Sequence, residues 1–206
     1  MARTLDGGAA FSEASDGDIR GSLDARASLS EALGISADWA TVTQVHGSRV
    51  VRASAPGLLG EADAIWTTVR DLPLAVFTAD CYGVVLASAS STGVAHVGWR
   101  GARSGIVSAL RAEMSNYGEP VTRAAMGPGI AGCCFEVGED VLAEFPEDAA
   151  MTTWGTNSVD LPRFIDRELE GLEVWGVSDC TRHDEGWFSH RGSGTLERLA
   201  TVGWLT

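Results

Sequence analysis

Two continuous apolar segments in the middle of the chain constrain its fold more than any other feature. Residues 72–79 and 84–87 are apolar almost throughout, without the alternation of a half-exposed strand. Runs of this kind are typical of strands that are covered on both faces. The residues between them, Asp80 to Gly83, include Cys81. The pattern therefore predicts a reactive side chain at a break between two buried strands, where a rigid backbone can present it to a cleft.

The remaining pattern predicts a single α/β (α+β) domain over residues 1–206, with mixed sheets, antiparallel strand pairs and flanking helices. A chain of 206 residues is long enough to bury one substantial core. No repeated βαβ unit, internal repeat or linker is evident. Helices are predicted at 23–33, after Gly101 up to Gly118 with Ile106, Leu110, Met114 and Tyr117 as the apolar stripe, at 139–145, and from the N-cap Asp160 to Leu172. Strands are predicted at 41–47, 72–79, 84–87, 94–97, 174–177, 187–189 and 199–205, and loops at 6–22 and 53–60.

The charge balance limits the classes of partner. Lys plus Arg number 15 and Asp plus Glu number 28, a net charge of −13, which argues against binding to nucleic acid but allows a local pocket for one phosphate. No apolar run approaches the roughly 18 residues that cross a bilayer, and the N-terminus lacks a secretory h-region. The sequence predicts no membrane association and a cytoplasmic location with four reduced cysteines. It gives no indication of oligomeric state.

One cysteine and two histidines stand at predicted strand ends. His46 precedes Gly47, His96 is followed closely by Gly98, and Cys81 lies between the two apolar runs. A thiolate and two imidazoles suit Zn²⁺ and leave one tetrahedral position for water or substrate. Because the three residues are far apart in sequence, spacing alone does not separate this site from partly buried residues without a role. A blue-copper site with Met126 as the axial ligand is a weaker alternative, since its ligands usually share one late loop.

The same atoms allow a mechanism without metal. Cys81 could act as a nucleophile with His96 or His46 as its base. Asp80 could orient that base, hold the tautomer of a metal-bound imidazole, or serve only as a turn residue.

Arg100 is the leading candidate for binding an anion. It follows Trp99 at the start of a predicted helix, where a guanidinium and a helix N-terminus together favour phosphate. The alternative is a structural pair with one of the acidic residues. Arg191 is a further candidate in a weaker context.

Several segments occur together in an order that resembles a known family. They are Gln44-Val45-His46-Gly47, Ala62-Asp63-Ala64, Thr78-Ala79-Asp80-Cys81, His96-Val97-Gly98-Trp99-Arg100-Gly101, Gly127-Pro128-Gly129-Ile130, Glu136-Val137-Gly138, Cys180-Thr181 and Phe188-Ser189-His190-Arg191. From about Gln44 to the C-terminus, the chain resembles the bacterial family first described as multicopper polyphenol oxidases or laccases. That family is now described as purine nucleoside phosphorylases, and some members have a role in peptidoglycan editing.

The resemblance implies a zinc site formed by His46, Cys81 and His96, with copper less favoured, and substrate contacts from Gln44, Arg100 and Arg191. It implies phosphorolysis of adenosine, inosine, guanosine or methylthioadenosine to the free base and ribose 1-phosphate, and also adenosine deamination. The implied fold is similar to that of cytotoxic necrotizing factor toxins, which are cysteine deamidases. Alternatives are a cysteine amidohydrolase acting on peptidoglycan precursors, a copper-dependent polyphenol oxidase and a non-catalytic binding domain.

The chain departs from the family pattern at three places. Leu5 stands where the family often has an arginine, Tyr82-Gly83 replaces a segment ending in proline, and Glu197 replaces a glycine before Arg198. The predicted metal ligands are all present, so the departures concern substrate binding more than the metal.

Overall fold

A computed structural model describes residues 3–5 and 8–206, with side chains from residue 8 onward. The departure at Leu5 therefore concerns a side chain outside the described part. The strands are β1 (Arg3–Leu5), β2 (Ala9–Phe11), β3 (Ala40–Thr43), β4 (Val50–Arg52), β5 (Gly57–Glu61), β6 (Ala64–Thr67), β7 (Leu74–Thr78), β8 (Tyr82–Ala87), β9 (Thr92–Val97), β10 (Arg123–Met126), β11 (Ala149–Met151), β12 (Asn157–Val159), β13 (Glu173–Gly176) and β14 (Leu199–Gly203). The helices are α1 (Leu23–Leu33), α2 (Trp99–Arg103), α3 (Ile106–Tyr117), α4 (Glu139–Glu144), α5 (Leu161–Glu168) and α6 (His190–Ser193), with short 3₁₀ helices at Ala14–Asp16 and Pro146–Asp148.

Two six-stranded mixed sheets dominate the described residues. Their strand orders are β1-β2-β14-β7-β3-β5 and β13-β10-β8-β9-β6-β4, and β11 pairs with β12 in a small third sheet. Antiparallel pairs such as β8 with β9 stand beside parallel pairs such as β3 with β5. The predicted mixed α/β architecture with antiparallel pairs is confirmed, while the likeness to cytotoxic necrotizing factor toxins stays a prediction. Each described helix is too short or too polar to cross a bilayer.

Both faces of the central strand β7 are covered, as its apolar sequence predicts. Leu74 and Val76 point into the core between the two large sheets. The alternate residues Ala75 and Phe77 belong to a second cluster beneath α1, with Leu29. Because side chains alternate across a strand, an uninterrupted apolar run is needed to fill both clusters.

The second sheet is covered on its other face by α3 and α5. Val84 on β8 packs in the cluster that contains Leu110 and Met114 of α3. The predicted buried stripe stops at Met114, since Tyr117 is 56% exposed and packs edge-on against Trp66.

Helix ends follow their sequence signals. Gly34 ends α1 in the left-handed conformation with φ 67°, which glycine adopts without a Cβ clash. Asp160 caps α5 by accepting a hydrogen bond from the Arg163 N–H. One helix is predicted after Gly101, but the short α2 already begins at Trp99, and α3 follows it after a break at Gly105 with φ 74°.

Three local predictions are wrong. Residues 187–189 form no strand; Ser189 instead caps α6 by accepting from the Gly192 N–H. The predicted loop 6–22 contains β2, and the predicted loop 53–60 contains the start of β5. In β5, pairing runs through backbone groups, and Leu58 is 67% exposed, so no apolar pattern marks this edge strand.

Candidate metal centre

The three side chains predicted as ligands converge at one point of the molecule. His46 follows β3, Cys81 lies between β7 and β8, and His96 is on β9. One ligand atom from each lies within 4.8 Å of the others. The two imidazole rings are 4.7 Å apart at 78°. Pairing of β8 with β9 accounts for part of this, because it sets Gly83 opposite His96 and so brings Cys81 beside that ring.

Asp63 organises the centre, although sequence reasoning gave it no role. Its fully buried carboxylate lies 2.8 Å from Nδ1 of His96. It also accepts the backbone N–H groups of Val45, His46 and Gly47 at 3.2, 2.9 and 2.7 Å. Because the carboxylate can only accept, Nδ1 of His96 carries the hydrogen and Nε2 is left for Cys81. The available signal was a lone acid between two alanines beside a buried strand.

His46 occupies an uncommon backbone conformation. Its φ is 61°, in the left-handed region that costs a non-glycine residue about 1–3 kcal/mol. The hydrogen bond from its own N–H to Asp63 lies within this turn and helps to hold it. The strained turn therefore depends on the same carboxylate that orients His96.

The thiol and the imidazole shift one another's pKa. Burial raises the pKa of Cys81, but hydrogen bonds with His46 and His96 outweigh it and lower that pKa to about 6. Burial lowers the pKa of His96, but hydrogen bonds with Asp63 and Cys81 raise it to about 9. Near neutral pH without metal, Cys81 is a thiolate beside a protonated His96.

This ion pair predicts an unusual pH dependence of thiol reactivity. In metal-free protein, alkylation of Cys81 by iodoacetamide should persist down to about pH 6, because the thiolate is the reactive form and is lost only below that pKa. Cys133 is an internal control, since burial raises its pKa to about 12. Peptide mass spectrometry at a series of pH values measures both rates. Equal reactivity of the two cysteines at pH 7 would contradict the proposed ion pair.

The donor set and the space around it fit a zinc ion. A Cβ at Gly98 would lie 3.0 Å from Sγ of Cys81 and 3.1 Å from Cδ2 of His46, so glycine keeps this side of the centre open. One thiolate and two imidazoles are ligands that Zn²⁺ favours, and copper accepts the same set.

Asp80 does not hold either imidazole, so that interpretation is corrected. Its carboxylate accepts hydrogen bonds from the Thr181 and Ser189 hydroxyls at 2.8 and 2.6 Å, and from the Arg191 N–H at 2.6 Å. Asp63 orients the His96 ring instead, because its carboxylate contacts both the 45–47 turn and His96 on β9. Asp80 ties the C-terminal segment to the strand end that carries Cys81.

A cavity of about 880 Å³ opens beside the centre, and the three candidate ligands line it. Arginines from distant parts of the chain surround it, which is notable for a chain of net charge −13. Arg100 and Arg191 were predicted to bind substrate; Arg20, Arg26 and Arg198 were not, although Arg198 stands in a segment that was compared with the family pattern. The arginines are Arg20, Arg26, Arg100, Arg191 and Arg198.

The arginines are partly held by the walls of the cavity. Arg100 lies over the Trp99 ring at 4.3 Å, and the Arg191 side chain donates to the Glu136 carbonyl at 2.7 Å. Burial, and then repulsion from Arg20, lower the pKa of Arg198. Mutual repulsion between guanidinium groups around one cavity favours an anionic occupant.

Gln44 lines the cavity, but its amide is engaged by the backbone of Phe77. Its nitrogen donates to the Phe77 carbonyl and its oxygen accepts the Phe77 N–H, both at 2.8 Å. Gln44 thus joins the end of β3 to β7, and its substrate contact stays a prediction.

Residues 14–206 match the family model for the multi-copper polyphenol oxidoreductase laccase. The chain belongs to this family. It is 38% identical over 198 residues to a protein of Deinococcus radiodurans named purine nucleoside phosphorylase, covering 90% of this chain and 78% of the relative. A Corynebacterium glutamicum protein of the same name is 38% identical, covering 86% and 78%.

Solved structures of family relatives share the fold. YlmD from Geobacillus stearothermophilus superposes with a TM-score of 0.79 at 25% identity, covering 89% of this chain and 80% of that one. A Neisseria meningitidis protein gives 0.72 at 29% identity, covering 88% and 79%. The resemblance inferred from the ordered motifs is confirmed, and with it membership of a family whose relatives are named as enzymes of purine nucleosides.

Proposed function

We propose that this chain is a zinc-dependent purine nucleoside phosphorylase, acting on adenosine, inosine, guanosine or methylthioadenosine with phosphate. The observation that carries the proposal is the position of the His46, Cys81 and His96 cluster at the wall of an arginine-lined cavity. The names of the relatives support the same reaction. The products would be the free base and ribose 1-phosphate.

Each residue has a defined part in this proposal. His46, Cys81 and His96 would hold the zinc ion, which when bound supplies a Lewis acid that polarises an oxygen of its ligand. Asp63 fixes the ring of His96 and the turn that carries His46. The guanidinium groups hold phosphate in the cavity, which places its oxygen near the sugar carbon and converts a bimolecular encounter into a positioned one.

The aromatic walls suit the purine. Trp99 and Phe135 line the cavity together with Ile130. The flat aromatic faces of a purine base are removed from water between such side chains, while phosphate stays near the arginines. Adenosine deamination belongs to the same proposal as a second activity, since it would use the same purine-binding walls.

Product analysis tests the proposal. Purified protein is incubated with adenosine, with and without phosphate, and the products are separated by chromatography. Adenine and ribose 1-phosphate that form only with phosphate support phosphorolysis, and inosine formed without phosphate supports deamination. Absence of adenine, hypoxanthine, inosine and ribose 1-phosphate above the blank would refute the proposal. Metal analysis of the same preparation tests for zinc.

A cysteine amidohydrolase acting on peptidoglycan precursors is the second candidate. The contacts of Asp63 with His96 and of His96 with Cys81 favour it. They place a carboxylate, an imidazole and a thiol in the order of a catalytic triad. This activity would persist in strong chelator, whereas phosphorolysis would be lost.

Met126 lends no support to a blue-copper site. It packs in the core cluster with Val84 and Leu86, on the strand β10. The polyphenol oxidase alternative therefore rests on the description of the family and on a donor set that copper also accepts.

Arg100 provides a prediction for phosphate binding. Replacing Arg100 with glutamine should raise the KM for phosphate about tenfold, because a hydrogen bond to a charged group contributes roughly 1.5–3 kcal/mol and part of it is replaced by the other arginines. The KM for the nucleoside should change less. Arg111→Gln, a half-buried position of α3 that does not line the cavity, is the matched control and should leave both values unchanged. Equal KM values in the two variants would exclude Arg100 from phosphate binding.

A further inference from the structure

A second group of soft ligands lies outside the cavity and has no part in the proposed reaction. One ligand atom from each of Cys133, Cys134 and His183 lies within 4.8 Å of the others. The sulfurs of the adjacent cysteines are 3.6 Å apart.

Two backbone turns bring these residues together. In the first, the N–H groups of Cys134 and Phe135 both donate to the Ala131 carbonyl at 2.9 Å. In the second, the His183 N–H donates to the Cys180 carbonyl at 2.9 Å. The turns are joined because the Ala131 N–H donates to the Cys180 sulfur at 3.4 Å. The cluster is therefore set by main-chain hydrogen bonds rather than by flexible side chains alone.

A bridge between Gly129 and Cys180 holds the two turns side by side. The N–H of Thr181 also donates to the Gly129 carbonyl at 3.1 Å. The donors thus come from segments about 50 residues apart in sequence, like those of the first centre.

The donor chemistry matches a tetrahedral thiophilic ion. Zn–S bonds of about 2.3 Å in a tetrahedral site place two sulfurs about 3.8 Å apart, close to the separation of Cys133 and Cys134. A Cys₂His set binds Zn²⁺ in proteins and leaves the fourth tetrahedral position to water or another ligand. Cys134 is buried and Cys133 half-buried, while His183 is exposed, so the cluster is open to an ion from solvent on one side.

A neighbouring cation suits the charge that thiolates would carry. Arg182 donates to the Cys134 carbonyl at 3.5 Å and lies over the Trp154 ring at 4.5 Å. A guanidinium held at this position stabilises the thiolate forms in which the two cysteines bind a divalent ion.

We propose that Cys133, Cys134 and His183 bind a second zinc ion, with water in the fourth position. This ion locks the 131–135 turn to the 180–184 turn. Thr181, in the second turn, donates to Asp80 beside Cys81, so the second centre supports the wall of the cavity that carries the first.

Zinc counting tests the proposal. The full chain is saturated with zinc in reducing buffer, passed into metal-free buffer, and analysed for zinc and protein. We expect about two zinc ions per chain, because each group of three thiolate and imidazole donors retains one. The double variant Cys133→Ser with His183→Ala should retain one fewer than the unmodified chain, and so should Cys81→Ser. His190→Ala, at an exposed histidine outside the cluster, is the matched control and should not alter the count.

Cadmium gives a readout that does not depend on counting. A thiolate-to-metal absorption band should persist in Cys81→Ser and be weaker in Cys133→Ser with His183→Ala. His183→Ala alone changes an exposed side chain, so we expect this variant to fold. It should release the second zinc ion to a chelator more easily than the unmodified chain does. The proposal is overturned if the double variant, shown by circular dichroism to be folded, retains as much zinc as the unmodified chain.

Discussion

Replacing Cys81 with serine should lower phosphorolysis about a thousandfold and remove zinc from the first centre. Serine is nearly isosteric but supplies a hydroxyl in place of the thiolate, which is the one negatively charged ligand in the cluster. Loss of a polarising ion worth several kcal/mol in the transition state corresponds to about three powers of ten in rate. Steady-state kinetics on adenosine with phosphate, together with zinc analysis, measure both effects.

Ser90→Ala is a suitable control for this variant. Ser90 is exposed in the turn between β8 and β9, away from the cavity, so its loss should leave activity and zinc content unchanged. Chelator treatment separates the two candidate reactions, because a cysteine hydrolase would lose activity in Cys81→Ser but not in chelator. Full phosphorolysis by a Cys81→Ser protein would contradict the assigned role of the first centre.

Replacing Asp63 with asparagine should lower the free energy of unfolding by about 3 kcal/mol, as breaking a buried charge pair does in other proteins. The carboxylate accepts three backbone N–H groups and lies against His96, and an amide cannot accept all four. Loss of the partner that orients a ligand should also weaken zinc binding about 10–100-fold. Urea denaturation and competition with a chelating dye measure these two quantities.

The pH dependence of this variant gives an independent check. Burial raises the pKa of Asp63, but the hydrogen bonds from His96, Gly47 and His46 outweigh it and hold the pKa below its usual value. A carboxyl group whose pKa is lower in the folded state than in the unfolded state stabilises the protein at pH values above the unfolded-state pKa. This stabilisation is lost as the pH falls through the folded-state pKa. The difference in free energy of unfolding between the unmodified chain and Asp63→Asn should therefore be largest near neutral pH and become smaller in acid.

Asp38→Asn is the matched control, since Asp38 is exposed before β3. It should change neither stability nor zinc affinity by a measurable amount. A destabilisation of Asp63→Asn that does not exceed that of Asp38→Asn would exclude the role of Asp63 in holding the 45–47 turn.

The sequence predicted the elements whose signals are local. Apolar runs identified β7 and β8, and the left-handed Gly34 and the N-cap Asp160 set helix ends, because these depend on the backbone preferences of a few neighbouring residues. The ordered motifs also identified the family and the three candidate ligands. Edge strands such as β5 were missed because their pairing uses backbone groups common to all residues.

Only the tertiary structure decided how the candidate site is held. Asp63, rather than Asp80, faces His96 because a turn after β3 and the strand β9 meet at that carboxylate. The arginines of the cavity come from segments as distant as Arg20 and Arg198. A local sequence pattern reports which face of an element is apolar, but which charged side chains share one cavity depends on strand order and packing between distant segments.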